Sequence, residues 1–148
     1  MKRTRYAQTE KPHELDTLRL LTTPEQFEVI TDAMLGEEGD HFIEVIDRVH
    51  ATWQAMPKTY ETDAQGRAAL ARLHYFTGGC DWWIVERDAD PDNAGQVQAF
   101  GIADLGMGRE LGNISIPELL ENGAELDLYY TEPKTIGELL DIGYISIP

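Results

Sequence analysis

The sequence predicts an α+β protein: an N-terminal pair of helices, then an antiparallel β-meander of four to five strands with short C-terminal helices packed on it. Three observations lead there. Apolar residues recur at helical spacing between Thr23 and Met56, the period switches to two from Leu73 onward, and glycine or proline punctuates nearly every run.

Met1 to about Leu21 is polar, mixed in charge and without period, and reads as a basic N-terminal arm with Leu18, Leu20 and Leu21 available for packing. Thr23-Pro24-Glu25-Gln26 is a helix start, with Thr23 as cap, Pro24 at the first helical position and Gln26 placed to close a capping box. Phe27, Ile30 and Met34 follow on one face, Glu25, Glu28 and Asp32 lie opposite, and Gly36 stops the helix. Asp40 opens a second helix, whose apolar period runs from Phe42 through Val45, Ile46, Val49 and Trp53 to Met56, where Pro57 ends it. Glu44, Asp47 and Arg48 take its wet side. Ala64 to Arg72 reads as a third helical piece.

Leu73 to Thr77 and Asp81 to Arg87 are strands joined by a Gly78-Gly79 turn. After a polar loop from Asp88 to Gly95, Gln96 to Ala103 is a third strand. Asn113 to Ser115 is a short extended piece, and Ser115-Ile-Pro-Glu118 caps a short helix closed by Asn122-Gly123. Leu126 to Tyr130 reads as a fourth strand, Thr135 with Glu138 starts a last helix, and Tyr144 to Ile147 adds a terminal strand.

A chain of 148 residues fits one domain, and a globule of that size hides roughly 70% of its extended surface. The expected organisation is the arm over 1–21 and one α+β domain over 22–148, helical to residue 72 and sheet-forming from 73. The single cysteine, Cys80, excludes an internal disulfide. The longest apolar run, Trp82 to Val85, is far below the ~20 residues that span a bilayer, and no apolar segment follows the basic residues Lys2, Arg3 and Arg5 as a secretory signal requires. The expected location is the cytoplasm of a bacterial host cell, with no membrane partner.

The formal net charge is −15. Such a chain repels phosphate backbones unless basic residues cluster, and here they are scattered, so direct nucleic-acid binding is disfavoured. Residues 25 to 63 carry ten carboxylates against Arg48 and Lys58. A solubilising surface is one reading of that imbalance; a polyanionic face for a basic partner is the other.

Phe100 to Gly112, Phe-Gly-Ile-Ala-Asp-Leu-Gly-Met-Gly-Arg-Glu-Leu-Gly, holds four glycines in thirteen residues. From Phe100 to Leu120 the chain resembles the signature of a bacterial domain-of-unknown-function family (number 2958). Leu73-His74-Tyr75-Phe76, Trp82 to Asp88, Glu125 to Tyr130 and Thr135 to Leu139 extend the likeness to about residues 70 to 142. The resemblance implies a gene carried by plasmids, phages or integrative elements, and some relatives are labelled single-stranded-DNA endonucleases. The N-terminal half is not matched.

Each chemical constellation has a structural counterpart. Asp88-Ala-Asp90-Pro-Asp92-Asn93 has the alternating acids of a calcium loop, but Asn93 stands at the glycine position and Ala99 where a bidentate Glu belongs. His41, Glu44, Asp47 and His50 recur every three residues and so precess around their helix instead of converging on a zinc ion. His74 beside Tyr75 reads as a packed or hydrogen-bonded histidine. Cys80 follows two glycines without a histidine near in sequence, and Ser115 is explained as a cap. Gly101-x-x-x-x-Gly106-x-Gly108 lacks the Lys-Ser/Thr of a phosphate loop. For a magnesium-dependent nuclease Asp104, Glu110 and Glu86 are the available carboxylates, with Arg109 beside them. Alternatively, Asp104 bonds amides of the glycine loop and Arg109 pairs with a neighbouring acid. Trp82 and Trp83 fall on opposite strand faces, one for the core and one for a partner; Tyr129 and Tyr130 pose the same choice.

The expected function is a non-enzymatic acidic accessory protein of a phage or mobile element that binds another protein. Acting as a nucleic-acid mimic, it would inhibit a host defence system of the CRISPR or restriction type. Its contacts would be Glu25, Glu28, Asp32, Glu37, Glu38, Glu44 and Asp47, with Trp82 or Trp83 as anchor, and no cofactor or metal is called for. The alternatives are the single-stranded-DNA endonuclease and a structural homodimer built on an exposed tryptophan or strand edge.

Overall fold

Proline decides where three of the helices start. In the computed structural model, Pro12, Pro24 and Pro117 stand in the first turns of α1 (Pro12–Leu21), α2 (Pro24–Met34) and α4 (Ile116–Glu121), where a missing N–H leaves no intrahelical bond unmade. The structure describes residues 11–58, 60–87 and 98–145, with 142–145 by backbone alone. The first ten residues of the expected arm, the acidic loop Asp88 to Gly95, Gln96, Val97 and the last three residues lie outside the described ones.

Residues 1–55 and 56–148 form two compact units, and the stretch expected to be helical as far as residue 72 is divided between them. Among its described residues the first unit holds three helices where the sequence predicts a pair, α3 running Gly39–Ala55. The additional helix is α1, which corrects the reading of residues 12 to 21 as an arm. Leu18 and Leu21, expected to pack, are fully buried and Thr17 nearly so, while Leu20 is exposed; the stripe is too narrow to show as a helical period. Tertiary packing, not propensity, holds a helix this short. Lys11 Nζ reaches Asp47 at 2.9 Å and Thr17 Oγ1 meets His50 Nδ1 at 2.7 Å, which ties α1 to α3. As the Thr-Pro signature predicts, Thr23 Oγ1 caps α2 by accepting from Gln26 N. Ile30, Met34, Val45, Ile46, Val49 and Trp53 form the buried faces of α2 and α3.

In the second unit the expected helix at Ala64 to Arg72 is a 3-10 turn, Asp63–Ala68, followed by β1 (Leu70–Ala71). Gly66 takes φ 53°, which no right-handed helix continues through. Small Ala69 and Ala71 then enter the core. β2 (Leu73–Thr77), β3 (Cys80–Glu86), β4 (Gln98–Asp104) and β5 (Arg109–Ser115) form an antiparallel meander, and β6 (Glu125–Leu126) completes the sheet in the order β5-β4-β3-β2-β6. β7 (Lys134–Thr135) pairs with β1 and leads into α5 (Ile136–Ile145). The α+β class and the meander expected from the sequence are present.

Three boundaries differ from expectation. The extended piece at Asn113 to Ser115 begins already at Arg109, because only Leu105 to Gly108 make the turn; Gly106 and Gly108 carry it at φ 95° and 114°. The strand expected over Leu126 to Tyr130 stops at Leu126, since Asp127 Oδ1 accepts from Tyr129 N at 2.9 Å and folds the backbone into an Asx turn. Tyr144 and Ile145 continue α5 and are not strand.

Alternation sorts the sheet into two faces. His74, Phe76, Asp81, Trp83, Ile102, Asp104, Arg109 and Leu111 share one, where Trp83, Val85 and Ile102 form a buried cluster with Ala69, Ala71 and with Ile136 and Leu139 of α5. The other carries Leu73, Tyr75, Trp82, Ile84, Ala99, Ile114 and Leu126, and all but Trp82 are buried. Full burial pushes the Tyr75 phenol far above its ordinary range. α5 starts with a reciprocal capping box: Thr135 N donates to Glu138 Oε1 and Glu138 N to Thr135 Oγ1, both at 3.0 Å. The first of these bonds is the main reason the Glu138 carboxyl titrates below its ordinary range.

On β4, a Cβ at Gly101 would lie 1.8 Å from the Trp83 carbonyl oxygen of β3. Gly101→Ala is therefore expected to lower unfolding stability by about 3 kcal/mol, at the upper end of overpacking costs. Gly112, whose Cβ direction meets nothing within 4 Å, is the control. Urea denaturation of both alanine variants checks this, with Gly112→Ala expected near wild type.

Candidate functional site

The carboxylates nominated for a metal-dependent nuclease are held apart. Asp104 and Arg109 are register partners on β4 and β5, whereas Glu110 pairs with Ala103 and so stands on the opposite face. Asp104 Oδ1 accepts from Gly106 N at 3.0 Å and its Oδ2 from Arg109 Nε at 3.2 Å. Both oxygens are thus engaged in keeping the hairpin turn, the structural alternative for this residue.

Glu86 is 2% exposed and also committed. Its Oε1 accepts from Tyr60 N at 3.0 Å and its Oε2 from Thr62 N at 2.9 Å and from Thr62 Oγ1. It anchors the segment entering the 3-10 turn. Tyr60 has φ 72°, an uncommon conformation for a bulky residue, and its N–H bond to Glu86 holds it there. Asp104, Glu110 and Glu86 therefore do not converge, and no group of metal-binding side chains occurs among the described residues.

What does converge is a polar row across one face of the sheet. His74 Nδ1 lies 2.8 Å from Asp127 Oδ2 and its Nε2 2.8 Å from Asp81 Oδ1. Asp81 is the register partner of Asp104, so the row runs Asp127, His74, Asp81, Asp104, Arg109, with a nitrogen-bearing group against each carboxylate.

Trp83 lies beneath this row. The His74 ring stacks on it with centroids 5.0 Å apart, and the Arg109 guanidinium sits 4.6 Å from its centroid. His74 reaches it from β2 and Arg109 from β5, on either side of β3. Arg109 also donates to the Leu139 carbonyl at 2.7 Å. Trp83, 7% exposed, is a core residue, which corrects its nomination as a partner anchor; Trp82 on the other face is half-buried. Tyr130 donates its hydroxyl to the Ala71 carbonyl, and burial outweighs its bond from Lys134 N to raise its pKa, while Tyr129 is 85% exposed.

The row contains acids, a base and an arginine but no serine, threonine or cysteine nucleophile. Its geometry serves to lock five elements together. The hairpin sequence carries part of this pattern: the two-residue Gly78-Gly79 turn pairs Thr77 with Cys80, which puts His74 and Asp81 on one face, diagonal to each other. Asp127 lies too far along the chain for any spacing rule to connect it.

The acids nominated on the helices are placed otherwise. Glu25, Glu28, Asp32, Glu37, Glu38 and Glu44 are exposed, and none of the six makes an ion pair among the described residues. Asp47 is the exception: Lys11 neutralises it. Asp40, not nominated, is exposed on α3 and continues the Glu44 stripe one turn earlier.

Comparison of the chain with protein-family models, curated proteins and solved structures finds no match.

Glu86→Ala removes the acceptor for two amides and a hydroxyl and is expected to cost about 3 kcal/mol of stability. Glu110→Ala, on the exposed strand, is expected within about 0.5 kcal/mol of wild type. Thermal melts of the two variants test whether Glu86 is a structural anchor, and equal melts would reject that role.

Proposed function

We propose that the helical unit binds a basic partner protein through the exposed acids of α2, α3 and the turn between them, occupying a groove that otherwise takes a nucleic-acid backbone. The observation that carries this reading is the set of six exposed carboxylates that make no ion pair among the described residues. Glu25, Glu28 and Asp32 recur at i, i+3 and i+7 on one face of α2, opposite buried Ile30 and Met34. On α3, Asp40 and Glu44 recur at i and i+4, away from Val45, Val49 and Trp53. Residues 11–55 hold ten acids against Lys11, Arg19 and Arg48, so the field near these helices steers cations inward and repels phosphates. The host-defence target and the mobile-element origin belong to the same proposal and rest on the family resemblance alone.

The nuclease reading has less support, because two of its three carboxylates are already bonded within the fold and the third faces the other way.

The test is capture of partners from a bacterial lysate at two salt concentrations by the wild-type chain and by the triple variant Glu25→Lys, Glu28→Lys, Asp32→Lys. Capture by wild type should weaken with salt, and the variant should lose on the order of tenfold or more in affinity while its helical circular dichroism is unchanged. Undiminished capture by the variant rejects the proposal. Incubation with single-stranded DNA and Mg²⁺ or Mn²⁺, against an Asp104→Ala control, should give no cleavage; cleavage lost in the control would restore the enzyme.

A further inference from the structure

β5 lies at one end of the sheet, and among the described residues no strand pairs with its outer edge. Natural edge strands are usually protected by shortness, a bulge, proline or charged side chains, lysine above all. β6, at the other end, is two residues long. β5 has seven residues, Arg-Glu-Leu-Gly-Asn-Ile-Ser, with no proline or lysine and unbroken register against β4. It is a template for a further strand.

The side chains along this edge select what kind of strand. Leu111 is 47% exposed on one face, and at the near end the hairpin turn presents Leu105 and Met107, 58% and 92% exposed. Asp104 holds that turn through Gly106 N and Arg109, so these apolar groups are preorganised. On the other face Glu110 is exposed, and beside it Gly112 opens onto empty space, room that a large side chain of a neighbouring strand fills. Arg109 is engaged by Asp104, Leu139 and Trp83, leaving Glu110 as the charge the edge displays. A second copy would bring another net charge of −15 against the first.

We propose that the outer edge of β5 receives an extended segment of another protein by strand addition. That segment carries Lys or Arg toward Glu110, a large side chain over Gly112 and apolar residues toward Leu111. Main-chain bonds supply affinity and the alternating side chains supply choice. The proposal is independent of the acidic helices.

The probe is a synthetic peptide, Val-Lys-Val-Trp-Val-Lys-Val, titrated into the isotope-labelled full chain and followed by amide chemical shifts and hydrogen exchange. Amides of Arg109 to Ser115 should shift and gain protection. Leu111→Lys and Glu110→Lys, both at exposed positions and checked by thermal melts, should each weaken binding on the order of tenfold, and an analogue with Glu in place of Lys should not bind. The proposal is overturned by absence of shifts, by shifts confined to α1–α3, or by equal binding of the variants or the acidic analogue. Shifts in β5 on concentrating the protein alone would assign the edge to a second copy and overturn it equally.

Discussion

The sheet depends on the contact at which β4 passes the Trp83 carbonyl with only a hydrogen on Gly101 between them. Strand separation is fixed by main-chain hydrogen bonds, and no L side chain fits a gap whose Cβ position lies 1.8 Å from an oxygen. This contact keeps the pairing Trp83 to Ile102 and Ile84 to Gly101. Once that pairing holds, alternation assigns every other side chain of β4 and β5. Asp104 and Arg109 fall on the face of Trp83, and Glu110 on the reverse. A slip of one residue would exchange those faces. The separation of the three candidate carboxylates is thus a consequence of register.

The same register explains why so acidic a face tolerates Asp81 next to Asp104. Like charges opposite each other on adjacent strands destabilise a sheet. Here His74 and Arg109 approach from the two outer sides, each also packed on Trp83. The aromatic ring holds the two nitrogen-bearing groups in position beside the carboxylates. The whole device uses the charges internally and leaves little for a substrate.

Much of the secondary structure was legible because its signals are local. Thr23-Pro24, Ser115-Ile-Pro-Glu118 and Thr135 with Glu138 each specify a helix start through bonds spanning three residues, and all three are made. The elements misread are those decided at long range. α1 exists because it packs on α3 with Leu18, Leu21 and Thr17 buried; the leucines are legible as packing residues, but their helical conformation is not. β5 is only partly legible because the four glycines from 101 to 112 do not say which of them turn the chain: Gly106 and Gly108 do, and Gly101 serves a close approach instead. The structural role of Glu86 is not legible, because nothing in its neighbourhood shows that the segment at Tyr60 to Thr62, over twenty residues earlier, needs an acceptor.

These contrasts separate the acids by what they cost and what they offer. Asp104, Asp127 and Glu86 accept from amides of the fold, so removing any of them leaves those donors unsatisfied, and Asp81 lies against His74; their presence requires no ligand. Asp47 is neutralised by Lys11 and falls with them. Glu25, Glu28, Asp32, Glu37, Glu38 and Glu44 have no such partners among the described residues and contribute nothing to packing; mutual repulsion makes them a modest burden on the helices that bear them. A charge that the fold does not need is a charge whose energy is open to change on association. That asymmetry, more than the total of −15, directs attention to the helical unit as the surface where binding would be read as salt dependence. The paired acids of the sheet would register instead as stability.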